Sequence, residues 1–135
     1  MPEWAIDHIS AVTLAVRNMP ESVAFYERLG LQVSYGGSHD AFTTMRAGRS
    51  VINLRHAPQS SGNRWARVIL RVQGVDALYQ HLRAQGLHPS APQNAEWGER
   101  YFEISDPEGD VISFAELLDA LQEKEASSAA SGTES

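Results

Sequence analysis

Five histidines, seventeen aspartates and glutamates, and no cysteine set the limits of the chemistry this chain can do. Without a thiolate there is no cysteine nucleophile, cysteine zinc site or iron–sulfur cluster, so a metal would have to rest on histidine, carboxylate or amide oxygen. The histidines stand at positions 8, 39, 56, 81 and 88, and no two have the i, i+4 spacing of a helical zinc site or lie close together on one strand. His81 falls on a predicted helix, away from any cleft. His39, followed by Asp40, falls in a loop before a predicted strand and is a candidate for ligand contact or acid–base work, because imidazole changes charge near neutral pH. No nucleophile elbow, glycine-rich phosphate loop or dinucleotide fingerprint is present, and the glycines fit turns and helix ends.

The elements that would position such residues belong to one ordinary domain of 135 residues, with 42% hydrophobic and 21% charged residues. A net charge of −6 opposes binding to a phosphate backbone, which depends on lysine and arginine displacing counterions, so no nucleic-acid partner is expected. No apolar run reaches the length of a membrane span, and the opening Met1-Pro2-Glu3-Trp4 lacks the pattern of a secretory leader. The expectation is a cytoplasmic protein without a membrane partner.

Val12, Leu14 and Val16 alternate as a strand, with Asn18, Pro20 and Glu21 opening a helix that carries Val23, Phe25, Tyr26 and Leu29 and stops at Gly30. Short strands follow over 31–34, 41–45 and 50–55, separated by Gly36-Gly37 and Ala47-Gly48. The pattern then restarts. Val12, Leu14, Val16 and Gly30 recur as Val68, Leu70, Val72 and Gly86, each 56 residues later, with a helix from Val75 to Leu82 between the last two. Strand, helix and stop glycine in register at one offset indicate an internal duplication. The second half closes with a strand over 101–105, a type I turn at Asp106-Pro107-Glu108-Gly109, a strand over 111–114, and a short helix suggested by Leu117, Leu118 and Leu121.

The opening Ala11-Val12-Thr13-Leu14-Ala15-Val16-Arg17-Asn18, the run from Ser22 through Phe25-Tyr26 to Gly30, and the close Trp97-Gly98-Glu99-Arg100-Tyr101-Phe102 with Asp106-Pro107-Glu108-Gly109 resemble the glyoxalase, bleomycin-resistance and extradiol-dioxygenase superfamily, also called vicinal oxygen chelate. The likeness runs over roughly residues 7 to 116. It implies an α+β fold of two tandem βαβββ modules, forming a curved, eight-stranded mixed sheet, an incomplete barrel around a cleft. A single domain over 1–125 is expected, built of a module at 7–57, a linker at 58–64 and a module at 65–118, with 126–135 as a mobile tail.

In the metalloenzymes of that superfamily the ligands come from the first and last strands of each module, positions that fall here on Ala11, Asn53, Arg67 and Ser113. None suits a divalent metal, arginine least of all, so no metal or cofactor is expected and no catalytic residue is assigned. An arginine at an inward position needs an anionic partner, supplied either by Glu103 or by a ligand's carboxylate or phosphate. Trp97 and Arg100 belong to the matching stretch and either contact a ligand or pack within the protein. The expected ligand-binding cleft comprises His39, Asn53, Trp65, Arg67, Trp97, Arg100, Phe102 and Ser113, with Met45, Tyr101 and Phe114 as further possible walls. The function that follows is metal-free binding of a small organic ligand by a homodimer, sequestering a drug or toxin and so giving antibiotic resistance. The alternative is a lyase, isomerase or dioxygenase with a displaced metal or metal-free acid–base chemistry at His8, His39 and Glu103.

Overall fold

The computed structural model describes residues 3–60 and 67–118. The chain divides into two compact units, Met1–Trp65 with Asp106–Asp110, and Ala66–Ser105 with Val111–Ser135.

In the first unit the order is β1 (Val12–Val16), α1 (Met19–Leu29), β2 (Gln32–Tyr35), β3 (Phe42–Ala47) and β4 (Ser50–His56). The strands lie in the order β1-β4-β3-β2, with β1 parallel to β4 and the other pairs antiparallel. The register places Leu54 between Leu14 and Thr43, and Ile52 beside Met45, and all of these are buried with Val23, Tyr26 and Leu29 of α1. The alternate residues Thr13, Asn53 and Thr44 sit on the opposite face. Gly36 turns the chain between β2 and β3 at φ 73°, where a Cβ would stand 2.2 Å from the Phe42 carbonyl oxygen. Only glycine fits there.

The second unit repeats the order: β5 (Val68–Arg71), α2 (Val75–Ala84), β6 (Gln93–Asn94), β7 (Glu99–Ser105) and β8 (Val111–Leu117), in the sheet order β5-β8-β7-β6. The eight strands thus form two four-stranded mixed sheets of identical topology, each with one helix on one face. Phe102 stacks on Phe114 at 5.0 Å, Tyr79 of α2 meets Phe102 edge-on at 5.7 Å, and Val75, Leu82, Ile104 and Ile112 complete this core. β6, only two residues between Pro92 and the Trp97 turn, carries no pattern that a sequence reading could find. Leu117 ends β8 and opens no helix, because its strand continues in register with Glu99; Leu121 lies outside the described residues.

Both helices borrow a carboxylate from far along the chain. Asn18 Oδ1 accepts from the Glu21 N–H at 3.0 Å, which is half of a capping box. The other half comes from Glu108, whose Oε1 accepts from the backbone N–H groups of Arg17 and Asn18, while its Oε2 accepts from Arg17 Nε at 2.8 Å. At α2, Gly74 offers no side chain, and Glu116 accepts from the N–H groups of Gly74 and Val75 at 2.8 and 3.0 Å. Burial pushes the Glu108 carboxyl up, but the hydrogen bonds and charge of Arg17, with the Asn18 N–H, outweigh it and hold the group below its ordinary 4.5. A depressed carboxyl contributes stability above its ordinary pKa and loses it as pH falls through the depressed value. Glu108→Gln is therefore expected to cost about 1–2 kcal/mol at neutral pH, with the gap to the native chain closing below about pH 4.5 in urea titrations. A gap unchanged at acid pH would refute the assignment.

The turn at Asp106–Asp110 is closed by the Gly109 N–H on the Asp106 carbonyl at 2.9 Å, as Asp-Pro-x-Gly requires. Asp106 is buried; its carboxylate accepts from Tyr26 Oη at 2.6 Å and from the N–H groups of Glu108 and Asp110 at 2.9 and 2.8 Å. Burial, reinforced by the Asp106 charge, drives the Tyr26 hydroxyl far upward, so it stays protonated and donates.

Candidate functional site

The helix-free face of the second sheet gathers the groups best able to hold a ligand. Residues alternate along a strand, and the register sets Ile69 beside Ser113 and Ser113 beside Glu103, with Arg71 beside Ala115 and Ala115 beside Tyr101. The residues of β5 and β7 are thus separated by the small side chains of β8. Arg67 Nη1 donates to Glu103 Oε2, which also accepts from the buried Ser113 hydroxyl at 3.2 Å. Arg71 Nη2 lies 3.5 Å from Glu99 Oε2, and Glu99 Oε1 accepts from Trp97 Nε1 at 2.6 Å. Between these two ion pairs lie Ile69, 57% exposed, and Tyr101, whose hydroxyl accepts from Gln93 Nε2 at 2.7 Å. Trp97, 61% exposed, stacks on Tyr101 with centroids 5.9 Å apart and ring planes 27° apart. An apolar, aromatic floor with a charged rim suits a flat organic molecule.

The first sheet carries a neutral counterpart. Asn53 occupies in β4 the place of Ser113 in β8, with Thr44 in the place of Glu103 and Thr13 in that of Ile69. Thr44 Oγ1 donates to Asn53 Oδ1 at 2.8 Å, and Asn53 Nδ2 reaches Thr13 Oγ1 at 3.4 Å. His39 lies apart from this row, in a pocket of about 370 Å³ that also has Asp40, His56, Ser38, Arg17 and Asn18 in its walls.

Among the expected cleft residues, Arg67, Ser113 and Trp97 come together in the second unit. Asn53 holds the equivalent face of the first. Arg100 and Phe102 do not join them. Both lie one residue out of step with Glu103 and Tyr101, on the face covered by α2, where Phe102 is fully buried and Arg100 is held by Asp76 at 2.9–3.1 Å and by Asn94 at 3.0 Å. The same parity buries Met45 and Phe114, which are core and not walls. Trp65 lies outside the described residues. The sequence reading passed over Ile69, Arg71, Glu99, Thr13 and Thr44. For Ile69, Arg71 and Glu99 the signal is the period-two sets 67/69/71 and 99/101/103.

The positions that the family resemblance gives to a metal do not fit one. Ala11 has no donor, Arg67 is a cation committed to Glu103, the Ser113 hydroxyl points its proton at the same carboxylate, and Asn53 Oδ1 already accepts from Thr44. Among the described residues no three histidine, aspartate or glutamate side chains gather as a metal site needs.

Two duplicated sheets, each open on one face, define an α+β protein of the paired βαβββ class. Residues 5–114 match the family model of the Glyoxalase/Bleomycin resistance protein/Dioxygenase superfamily, and the chain belongs to that superfamily. Bleomycin resistance proteins of Geobacillus stearothermophilus and Staphylococcus aureus are 39% identical over 51 residues, which are 36% of this chain and 39% of theirs. The aligned stretch thus spans well under half of those relatives. Among solved structures, a bleomycin resistance determinant encoded on a transposon superposes with a TM-score of 0.70 at 19% identity, covering 82% of this chain and 98% of that one. A bleomycin-binding protein complexed with bleomycin gives 0.65 at 20% identity, over 84% and 99%. At these identities the structures establish the shared fold.

Proposed function

We propose that this chain binds a small aromatic molecule without a metal, on the open face of Arg67, Ile69, Trp97, Tyr101 and Ser113, and that it serves to sequester a drug or toxin. The working form in this reading is a cytoplasmic homodimer. The observation that carries it is exposed Trp97 stacked on half-buried Tyr101 beside exposed Ile69: large apolar surface left in water, on a face flanked by ion pairs, is where flat ligands gain the most from desolvation. The bleomycin resistance proteins among its relatives support drug sequestration as the use of such a site, and make bleomycin the first drug to try.

The test is tryptophan fluorescence and calorimetry with purified protein in chelator, titrated with bleomycin and separately with 2-naphthamide, a neutral flat aromatic. Saturable binding of either compound is expected, and Trp97→Ala should weaken it about tenfold, equivalent to about 1.4 kcal/mol of stacking. Absence of binding by both compounds, or binding indifferent to Trp97→Ala, would sink the reading. The acid–base alternative has less support, since Glu103 is held by Arg67 and His8 lies exposed beside Asp7, outside the walls of the pocket that holds His39.

A further inference from the structure

Resting on that reading, we propose that the ligand of the second sheet's open face is a flat aromatic anion, whose carboxylate or similar oxyanion is received by Arg67 while its ring lies over Ile69 against Trp97 and Tyr101. The charges on this face are arranged in rows. Arg67 and Arg71 run along β5, and Glu99 and Glu103 along β7. The two rows are not equally presented to solvent. The Arg67 and Arg71 side chains are 47% and 48% exposed, against 33% for Glu103 and 20% for Glu99. Each glutamate also accepts from a second donor, Glu103 from the Ser113 hydroxyl and Glu99 from the Trp97 indole. Each carboxylate is engaged twice, and at the Arg67–Glu103 pair the guanidinium is the more exposed partner, the group an incoming molecule meets.

Geometry favours the same class of ligand. A guanidinium presents a planar fork of five N–H donors, and Glu103 meets Arg67 through Nη1. An arginine steadied at one nitrogen by a carboxylate is pre-oriented for a second, bidentate anion. The net charge of −6 works against anions at long range, but salt screens that field beyond about 8 Å at physiological ionic strength, so the contact at Arg67 decides. A cationic ligand would instead set its charge against two exposed arginines.

The experiment compares three probes of one shape, 2-naphthoate, 2-naphthamide and 2-naphthylmethylammonium, by tryptophan quenching and calorimetry at neutral pH. The expected order is naphthoate at least tenfold tighter than the amide, and the ammonium weakest, with the naphthoate advantage shrinking as salt is raised. Arg67→Gln together with Glu103→Gln, which removes the pair without leaving a lone charge, should abolish the advantage while the amide still binds. Arg67→Lys, which keeps the charge and loses the fork, should retain part of it and serves if the double variant does not fold. Equal affinity for naphthoate and the amide, or an advantage that survives the double variant, overturns the anion assignment and leaves the aromatic site standing. No binding of any probe removes the anion assignment, and removes the aromatic site as well when bleomycin also fails to bind. Naphthoate affinity that weakens as protein concentration rises would mean that a second copy of the chain takes the face, which also overturns the assignment.

Discussion

Replacing Phe102 by alanine is expected to cost about 3–5 kcal/mol of folding stability, read as a shift of the urea midpoint at constant slope. The ring is fully buried, stacked on Phe114 at 5.0 Å and met edge-on by Tyr79, so its removal leaves a cavity between sheet and helix that neighbours on both sides cannot close. Set against a total of about 5–15 kcal/mol for a domain of ordinary size, a loss of that order brings the second unit close to unfolding at room temperature. Phe102→Leu, which refills most of the volume, should recover more than half of the loss. The result also separates two roles for this residue. A ring in the ligand face would show a small stability change and a large affinity change; the buried ring of this structure predicts the reverse, with affinity at Arg67 and Trp97 kept in whatever fraction stays folded.

Asp106→Ala should cost about 2–4 kcal/mol, the second largest effect. Its carboxylate is the shared acceptor for the Tyr26 hydroxyl and two turn N–H groups, and alanine leaves the buried hydroxyl without that partner. Tyr26→Phe removes one bond of the three and should cost less. Asp106→Asn keeps an acceptor for the turn and should fall between native and alanine. Its pH dependence supplies the finer check. Burial raises the Asp106 carboxyl above its ordinary 3.8, against the opposing hydrogen bonds from Tyr26 and the turn. A raised carboxyl favours the native state while protonated, so the native chain should lose stability relative to Asp106→Asn as pH climbs through the acid range above 3.8. A native advantage over Asp106→Asn that shrinks on acidification would contradict the burial of this group.

The duplication was legible in the sequence because each module writes the same physical requirements at one spacing: alternate apolar residues facing a helix, then a glycine where the helix must stop. Gly30 takes φ 107° and Gly86 φ 82°, values that few side chains tolerate. The site was legible only in part. Arg67, Asn53 and Ser113 could be placed because strand parity follows from the buried pattern around them. Arg100 and Phe102 were misplaced because a motif was read as a block, whereas neighbours on a strand face opposite ways. Glu108 and Glu116 could not have been read from sequence at all. A carboxylate that caps a helix 91 residues upstream leaves no local trace, and its partner becomes known only when the chain is folded.

Those distant carboxylates also bear on the order in which the molecule can be made. A chain emerging from the ribosome completes β1 through β4 about fifty residues before Asp106–Asp110 exists, so through that interval the α1 start lacks Glu108 and Tyr26 has no acceptor on Asp106. Contacts of such sequence separation slow folding, since the loop between them must close before it is rewarded. The first module therefore waits on the last hairpin, and synthesis halted before residue 106 would leave a half-molecule without the bonds that fix its helix.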